Sequence, residues 1–125
     1  MSLSEGDPVA GPGEAICRLD DLPEREGKPF LVRNPAGRSI DIVLVRRGED
    51  VFAYVNACPH TGMMLDGGSN EFMTLDQTHI LCLIHGAEFQ LHDGLCISGP
   101  CFGDSLWRVP VTVEDGQVIL QPPGS

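Results

Sequence analysis

Two short segments constrain this chain more than anything else in it: Cys58-Pro59-His60 and Cys82-Leu83-Ile84-His85, with twenty-one residues between His60 and Cys82. Each sets one thiol and one imidazole where an extended run meets a turn, VNACPHTG in the first case and ILCLIHGAE in the second. Two such loops at the ends of hairpins can face each other and supply four ligands to one site. Thiolate and imidazole together suit zinc or an iron–sulfur cluster, not Mg²⁺ or Ca²⁺. A Cys₂His₂ zinc finger pairs Cys with Cys and His with His, whereas each loop here brings one of each. Two cysteines on one metal and two histidines on another draw one of each from both loops, which is what a binuclear cluster with unlike ends needs. A structural zinc site is the competing reading. So is plain packing, since a lone cysteine is more often a small core hydrophobe.

Around these segments the sequence reads as all-β. Its 125 residues make one domain, and fifteen Gly with ten Pro favour many turns over long helices. Short apolar runs at residues 15–19, 29–33 (PFLVR), 40–46 (IDIVLVR) and 51–55 (VFAYV) predict strands of a meander, with turns at 34–38 and 48–50. Residues 57–103 hold four of the five cysteines and all four histidines, with short strands predicted at 78–83, 88–91 and 95–97 and a tight turn at Asp93-Gly94. The first pattern resumes at 107–113 and 117–121 around Asp115-Gly116, where Pro110 argues for an edge strand. The expected fold is an antiparallel β-sandwich interrupted by a small Cys/His-rich subdomain at about 57–103, with the whole domain spanning 14–121 and residues 1–13 a disordered lead-in. Residues 61–65 are the best short-helix candidate.

The formal charge of −10 repels phosphate backbones and anionic lipid headgroups. Nucleic acid and membrane surfaces are therefore excluded as expected partners, and a basic protein is favoured. No apolar run reaches the ~20 residues of a membrane span, the N-terminus lacks the marks of a secretory signal, and an odd cysteine count does not suit a closed disulfide framework. A reducing cytoplasm is the expected setting.

C-x-H followed by C-x-x-H resembles the Rieske [2Fe–2S] family, in its ferredoxin branch, over about residues 14–121. Leu65 and Gly68 fall where that family's first loop has an apolar shield and a glycine. Gly86, Ala87 and Phe89 follow the second histidine as in the ferredoxins, and Gly99-Pro100 resembles the third loop over the cluster. The resemblance implies one Rieske-type [2Fe–2S] cluster held by Cys58, His60, Cys82 and His85. Replacing two thiolates by neutral imidazoles takes the oxidised cluster from −2 to 0, so an electron is more easily added. The high-potential respiratory branch has an extra disulfide, at positions held here by Met63 and Ile84, and a Ser and a Tyr hydrogen-bonded to the cluster sulfurs, where this chain has Ala87 and Phe89. The resemblance therefore implies a potential near the low end of the family range. The spacing from His60 to Cys82 is longer than the family usually shows, with the excess expected as a longer hairpin at 67–77.

The implied function is a soluble ferredoxin that carries single electrons from a flavin-containing reductase to a terminal oxygenase and makes no bonds itself. With His60 and His85 used, only His79 and His92 remain, too few for a mononuclear oxygenase iron. A non-catalytic accessory subunit or redox sensor is the alternative. Met63, Met64 and Leu65 are expected either to cover the cluster or to form an apolar docking rim. Cys17 reads as core, and Cys96 and Cys101 as reduced thiols unless they pair. His79, His92 and the acids Asp20 and Asp21 read as ordinary surface or strand residues.

Overall fold

A computed structural model describes residues 10–59, 62–66, 71–75, 77–82, 86–99 and 103–122. Nine strands run through them: β1 (Ala15–Arg18), β2 (Gly27–Arg33), β3 (Ser39–Arg47), β4 (Asp50–Val55), β5 (His79–Leu81), β6 (Glu88–Gln90), β7 (Cys96–Ser98), β8 (Val111–Glu114) and β9 (Gln117–Leu120). They form three antiparallel three-stranded sheets, ordered β2-β3-β4, β1-β9-β8 and β5-β6-β7. The only helical turn among the described residues is 3₁₀, at Leu19–Asp21, where the predicted exposed acids help close it: the Asp21 carboxylate accepts from the Arg18 N–H at 3.0 Å.

The fold is organised on β3. Its apolar run is buried on both faces, and alternate side chains point to opposite sides of a sheet. Ile42 and Leu44 enter a core with Leu22, Val32, Ala53, Val118 and Leu120, between the β2-β3-β4 and β1-β9-β8 sheets. Val43 and Val45 enter a second core with Tyr54, Leu65, Phe72, Ile80, Phe89 and Leu106, beneath the β5-β6-β7 lobe. A strand that feeds two cores must be apolar at successive positions, which is why residues 42–45 read as a continuous run rather than an alternation.

Several boundaries differ from expectation. Ala10 bridges Val32, and Gly13 N donates to Leu120 O at 2.6 Å, so the chain is tied down before the predicted start at residue 14. Residues 107–109 do not belong to β8. They run along the open edge of β4 instead, with Val55 N donating to Trp107 O at 2.8 Å and Val109 N to Ala53 O at 2.9 Å. This leaves β8, with Pro110 just before it, at the edge of its sheet. The Asp93-Gly94 turn is a four-residue loop, closed by Gln90 N donating to Leu95 O at 2.9 Å. The described part of 61–65 forms no helix, with Leu65 alone in a turn, and Thr61 lies outside the described residues.

The long segment before Cys82 forms a hairpin in its described part. Met73 bridges Ile80, Leu81 N donates to Phe72 O at 2.7 Å, and Thr74 N donates to His79 O at 3.0 Å. Phe72 is buried against Gly27 of β2, where a Cβ would stand only 2.7 Å from that of Phe72. The glycine makes the room the aromatic ring needs. The expected extent, 67–77, includes residues 67–70 and Asp76, which lie outside the described residues.

Candidate metal centre

The segments that carry Cys58 and Cys82 close in the same way. Cys58 N donates to Met63 O at 2.8 Å, and Gly62 N donates back to Cys58 O at 2.7 Å. Cys82 N donates to Ala87 O at 2.8 Å, and Gly86 N donates back to Cys82 O at 2.7 Å. In each case the cysteine bonds to the residue five ahead, and a glycine four ahead takes a left-handed φ, +78° at Gly62 and +73° at Gly86. Non-glycine residues rarely adopt that conformation. The same closure is thus made twice by segments of unlike sequence, C-P-H-T-G and C-L-I-H-G.

Both cysteines are fully buried in one core cluster with Leu65, Ala87, Phe89, Cys96 and Leu106, and neither is in a disulfide. Two thiols among aliphatic and aromatic groups suit a soft, thiolate-bound metal shielded from water. His60 and His85, the other two predicted ligands, lie outside the described residues, as do Gly68, Ile84, Pro100 and Cys101. Among the described residues no three His, Cys, Asp or Glu side chains are grouped to hold a metal ion. What the described residues do provide is two matching loop closures with buried cysteines, and these fit the thiolate half of the predicted ligand set.

Three supports hold the loops. Asn56, just before the first loop, is buried, and its Oδ1 accepts from Leu65 N at 2.9 Å, tying the entry of the loop to its exit. Its Nδ2 faces Asp66 Oδ1 at 3.5 Å, and its own N–H donates to Asp41 O at 2.9 Å. Gly99 is pressed on the second loop, where a Cβ would lie 2.7 Å from Ala87 Cα. Tyr54 of β4 donates its hydroxyl to Leu91 O at 2.6 Å, joining the two lobes, and burial pushes its phenol up to about 12. Asn56, Asp66 and Gly62 escaped the sequence reading. The repeated Cys-x-x-x-Gly spacing was the signal for Gly62, and nothing local marked Asn56.

The remaining candidates separate cleanly. Leu65 is buried while Met63 and Met64 are 49% and 41% exposed, so the expected group of three splits into a cover and two surface side chains. Ala87 and Phe89 are fully buried and carry no hydrogen-bond donor beyond their backbones. Cys17 is half-buried, and burial with the Asp21 carboxylate raises its thiol to about 11. Cys96 donates to Ser98 O at 3.2 Å. His79 shares a 2.8 Å hydrogen bond with Thr78, and the exposed His92 lies 3.5 Å from Asp93.

The model of the Rieske [2Fe-2S] domain family matches residues 14–114. No curated protein matches the chain in sequence. Among solved structures, a ferredoxin of Sphingomonas yanoikuyae B1 is 27% identical, with a TM-score of 0.65 over 89% of this chain and 99% of that one. The ferredoxin of carbazole 1,9a-dioxygenase from Nocardioides aromaticivorans IC177 is 22% identical, with a TM-score of 0.69 over 89% of this chain and 98% of that one, a likeness of fold. A complex of reduced oxygenase and oxidized ferredoxin in carbazole 1,9a-dioxygenase contains a chain 25% identical, with a TM-score of 0.66 over 86% of this chain and 90% of that one.

Proposed function

The chain belongs to the Rieske [2Fe–2S] domain family, and from that premise we propose that it is a ferredoxin carrying single electrons to a terminal oxygenase. It carries one Rieske-type [2Fe–2S] cluster. In this reading Cys58 and Cys82 bind one iron and His60 and His85 the other, within a lobe of about residues 57–103. The observation that carries it is the matched closure of the two loops around buried Cys58 and Cys82.

When bound, the cluster supplies one-electron transfer in a range of roughly −150 to +300 mV. The chain's own residues set the conditions. Leu65, Ala87, Phe89 and Leu106 keep water from the sulfurs. Asn56 braces the exit of the first loop at Leu65, and Gly99 braces the exit of the second at Ala87. Met63 and Met64 present adaptable apolar surface beside the first loop, suited to brief contact with a partner.

The neighbours in carbazole 1,9a-dioxygenase pair a ferredoxin with an oxygenase, and the same kind of partner is proposed here. A flavin-containing reductase is proposed as the donor, because a two-electron nicotinamide must be split into single electrons before this cluster can accept them. A cytoplasmic setting completes the reading. No helix among the described residues is long and apolar enough to cross a membrane.

The test is reconstitution. The purified chain, mixed with a flavin reductase, NADH and a terminal oxygenase, should support substrate oxidation at a rate that saturates with the concentration of this chain. No dependence on it, with a reducible cluster present, overturns the carrier role.

A further inference from the structure

The hairpin leading into Cys82 combines a fixed base with a bare tip. Phe72 is buried at its base against Gly27, and Met73 packs on the same core. At the tip Leu75 is fully exposed. A leucine at a turn, where polar residues and glycine are usual, offers a partner apolar surface to cover.

Leu75 overhangs two shallow recesses. One is lined by Thr74, Leu75, Leu81 and Glu88, on the outer face of the β5-β6 pair. The other is lined by Glu26, Gly27, Glu71, Phe72, Met73, Thr74, Leu75 and Gln77. Leu75 and Leu81 thus line an apolar recess beside Glu88, and across Thr74 and Leu75 the second recess carries Glu26 and Glu71. No Lys or Arg among the described residues lines either recess.

We propose that this hairpin flank is a second docking surface, which takes a redox-partner protein presenting an apolar depression bordered by Lys or Arg. Charge decides between occupants. A second copy of this chain would bring its own glutamates and a further −10 of net charge against the same patch. A basic rim meets Glu26 and Glu88 with attraction, while the depression covers Leu75 and Leu81. The surface is preorganised, because Phe72 anchors the hairpin before any partner arrives. Leu81 and Glu88 directly adjoin Cys82 and Ala87 in the chain, so the surface borders the second cysteine loop and adds affinity and selectivity beside it.

The inference rests on the reading of the chain as an electron carrier. The probe is cytochrome c, a basic protein whose exposed haem edge is apolar and ringed by lysines, titrated calorimetrically into the cluster-loaded full chain at low ionic strength. Leu75→Ser should weaken binding about tenfold, as loss of a covered apolar anchor does. The double variant Glu26→Gln, Glu88→Gln should weaken it several-fold and flatten its dependence on salt. Visible spectra should stay those of the parent in both, and the midpoint potential should stay that of the parent in Leu75→Ser. Equal affinity of Leu75→Ser and parent overturns the proposal. So does sedimentation that finds the parent dimeric and Leu75→Ser monomeric, which makes a second copy the occupant. A failure of the carrier reading shows separately, as a parent cluster that cannot be reduced and reoxidised.

Discussion

Gly99 and Ala87 touch through their backbones: a methyl group at Gly99 would sit 2.7 Å from Ala87 Cα and 3.1 Å from its Cβ. Ala87 in turn accepts the hydrogen bond from Cys82 N. The loop at Gly99 therefore presses on the residue that closes the second cysteine loop. Gly99→Ala must move one of the two, and it must also hold alanine at a φ of +103°. It should cost about 1–3 kcal/mol, by overpacking and backbone strain together. Iron and acid-labile sulfide per chain should fall, which metal analysis beside a denaturation curve would measure.

Asn56→Ala removes the acceptor of Leu65 N and leaves that buried donor unpaired. A loss of about 1–3 kcal/mol is expected, concentrated in the first cysteine loop. Hydrogen exchange should report it as faster exchange at Leu65, with β2 and β3 unchanged.

Cys58→Ser and Cys82→Ser should each abolish the visible and EPR spectrum, whereas Cys17→Ser and Cys96→Ser should keep it. The histidines have a sharper test. His60→Cys or His85→Cys, if a cluster still assembles, restores a thiolate and should move the potential down toward roughly −400 mV. An unmoved potential in both variants removes those two residues from the ligand set.

Ala87 and Phe89 are buried beside Cys82 in the same core and offer no side-chain donor to a sulfur. The midpoint potential is expected near the lower limit of the family, about −150 mV. Phe89→Tyr supplies a hydroxyl and should raise it. Potentiometric titration gives both numbers, and a parent value above about +150 mV contradicts the account of these two positions.

Alkali should unfold the protein. Tyr54 is raised from 10.0 to about 12, chiefly by burial, and Cys17 from 9.0 to about 11 by burial and then by Asp21. Above its ordinary value each group is deprotonated in the unfolded chain while the folded chain keeps its proton, so the folded state binds more protons. Stability is full below about pH 9 and falls as pH rises through 11 to 12. Urea midpoints at pH 8 and pH 11 should differ, and Tyr54→Phe should narrow the difference while lowering stability at pH 8 through the lost bond to Leu91.

The strands were legible because short apolar runs and turn residues are local signals. The meander of β2, β3 and β4 lies where residues 29–55 placed it, with ends shifted by a residue or two. Residues 107–109 were misread because WRVPVTV is one apolar run, while its first half pairs with β4, a partner no local pattern names. The four-residue loop at 91–94 was misread because Asp-Gly also suits a two-residue turn. For the site, residue types and spacing pointed to two loops. The supports at Asn56, Asp66 and Gly99 depend on contacts across the fold, and the Gly27–Phe72 fit joins residues far apart in sequence. The Asp20-Asp21 pair looked like solvated loop, yet it forms the 3₁₀ turn.

Because β3 lends alternate side chains to both cores, neither half of the molecule owns a complete interior. Stripping the metal should therefore not leave a sound pair of sheets trailing a molten flap. The damage will pass through Val43 and Val45 to their neighbours Ile42 and Leu44, and the apoprotein should melt in one transition, earlier than the loaded form. A cell making this chain faster than it can supply iron and sulfide would accumulate a substrate for its proteases rather than a reserve awaiting its cofactor.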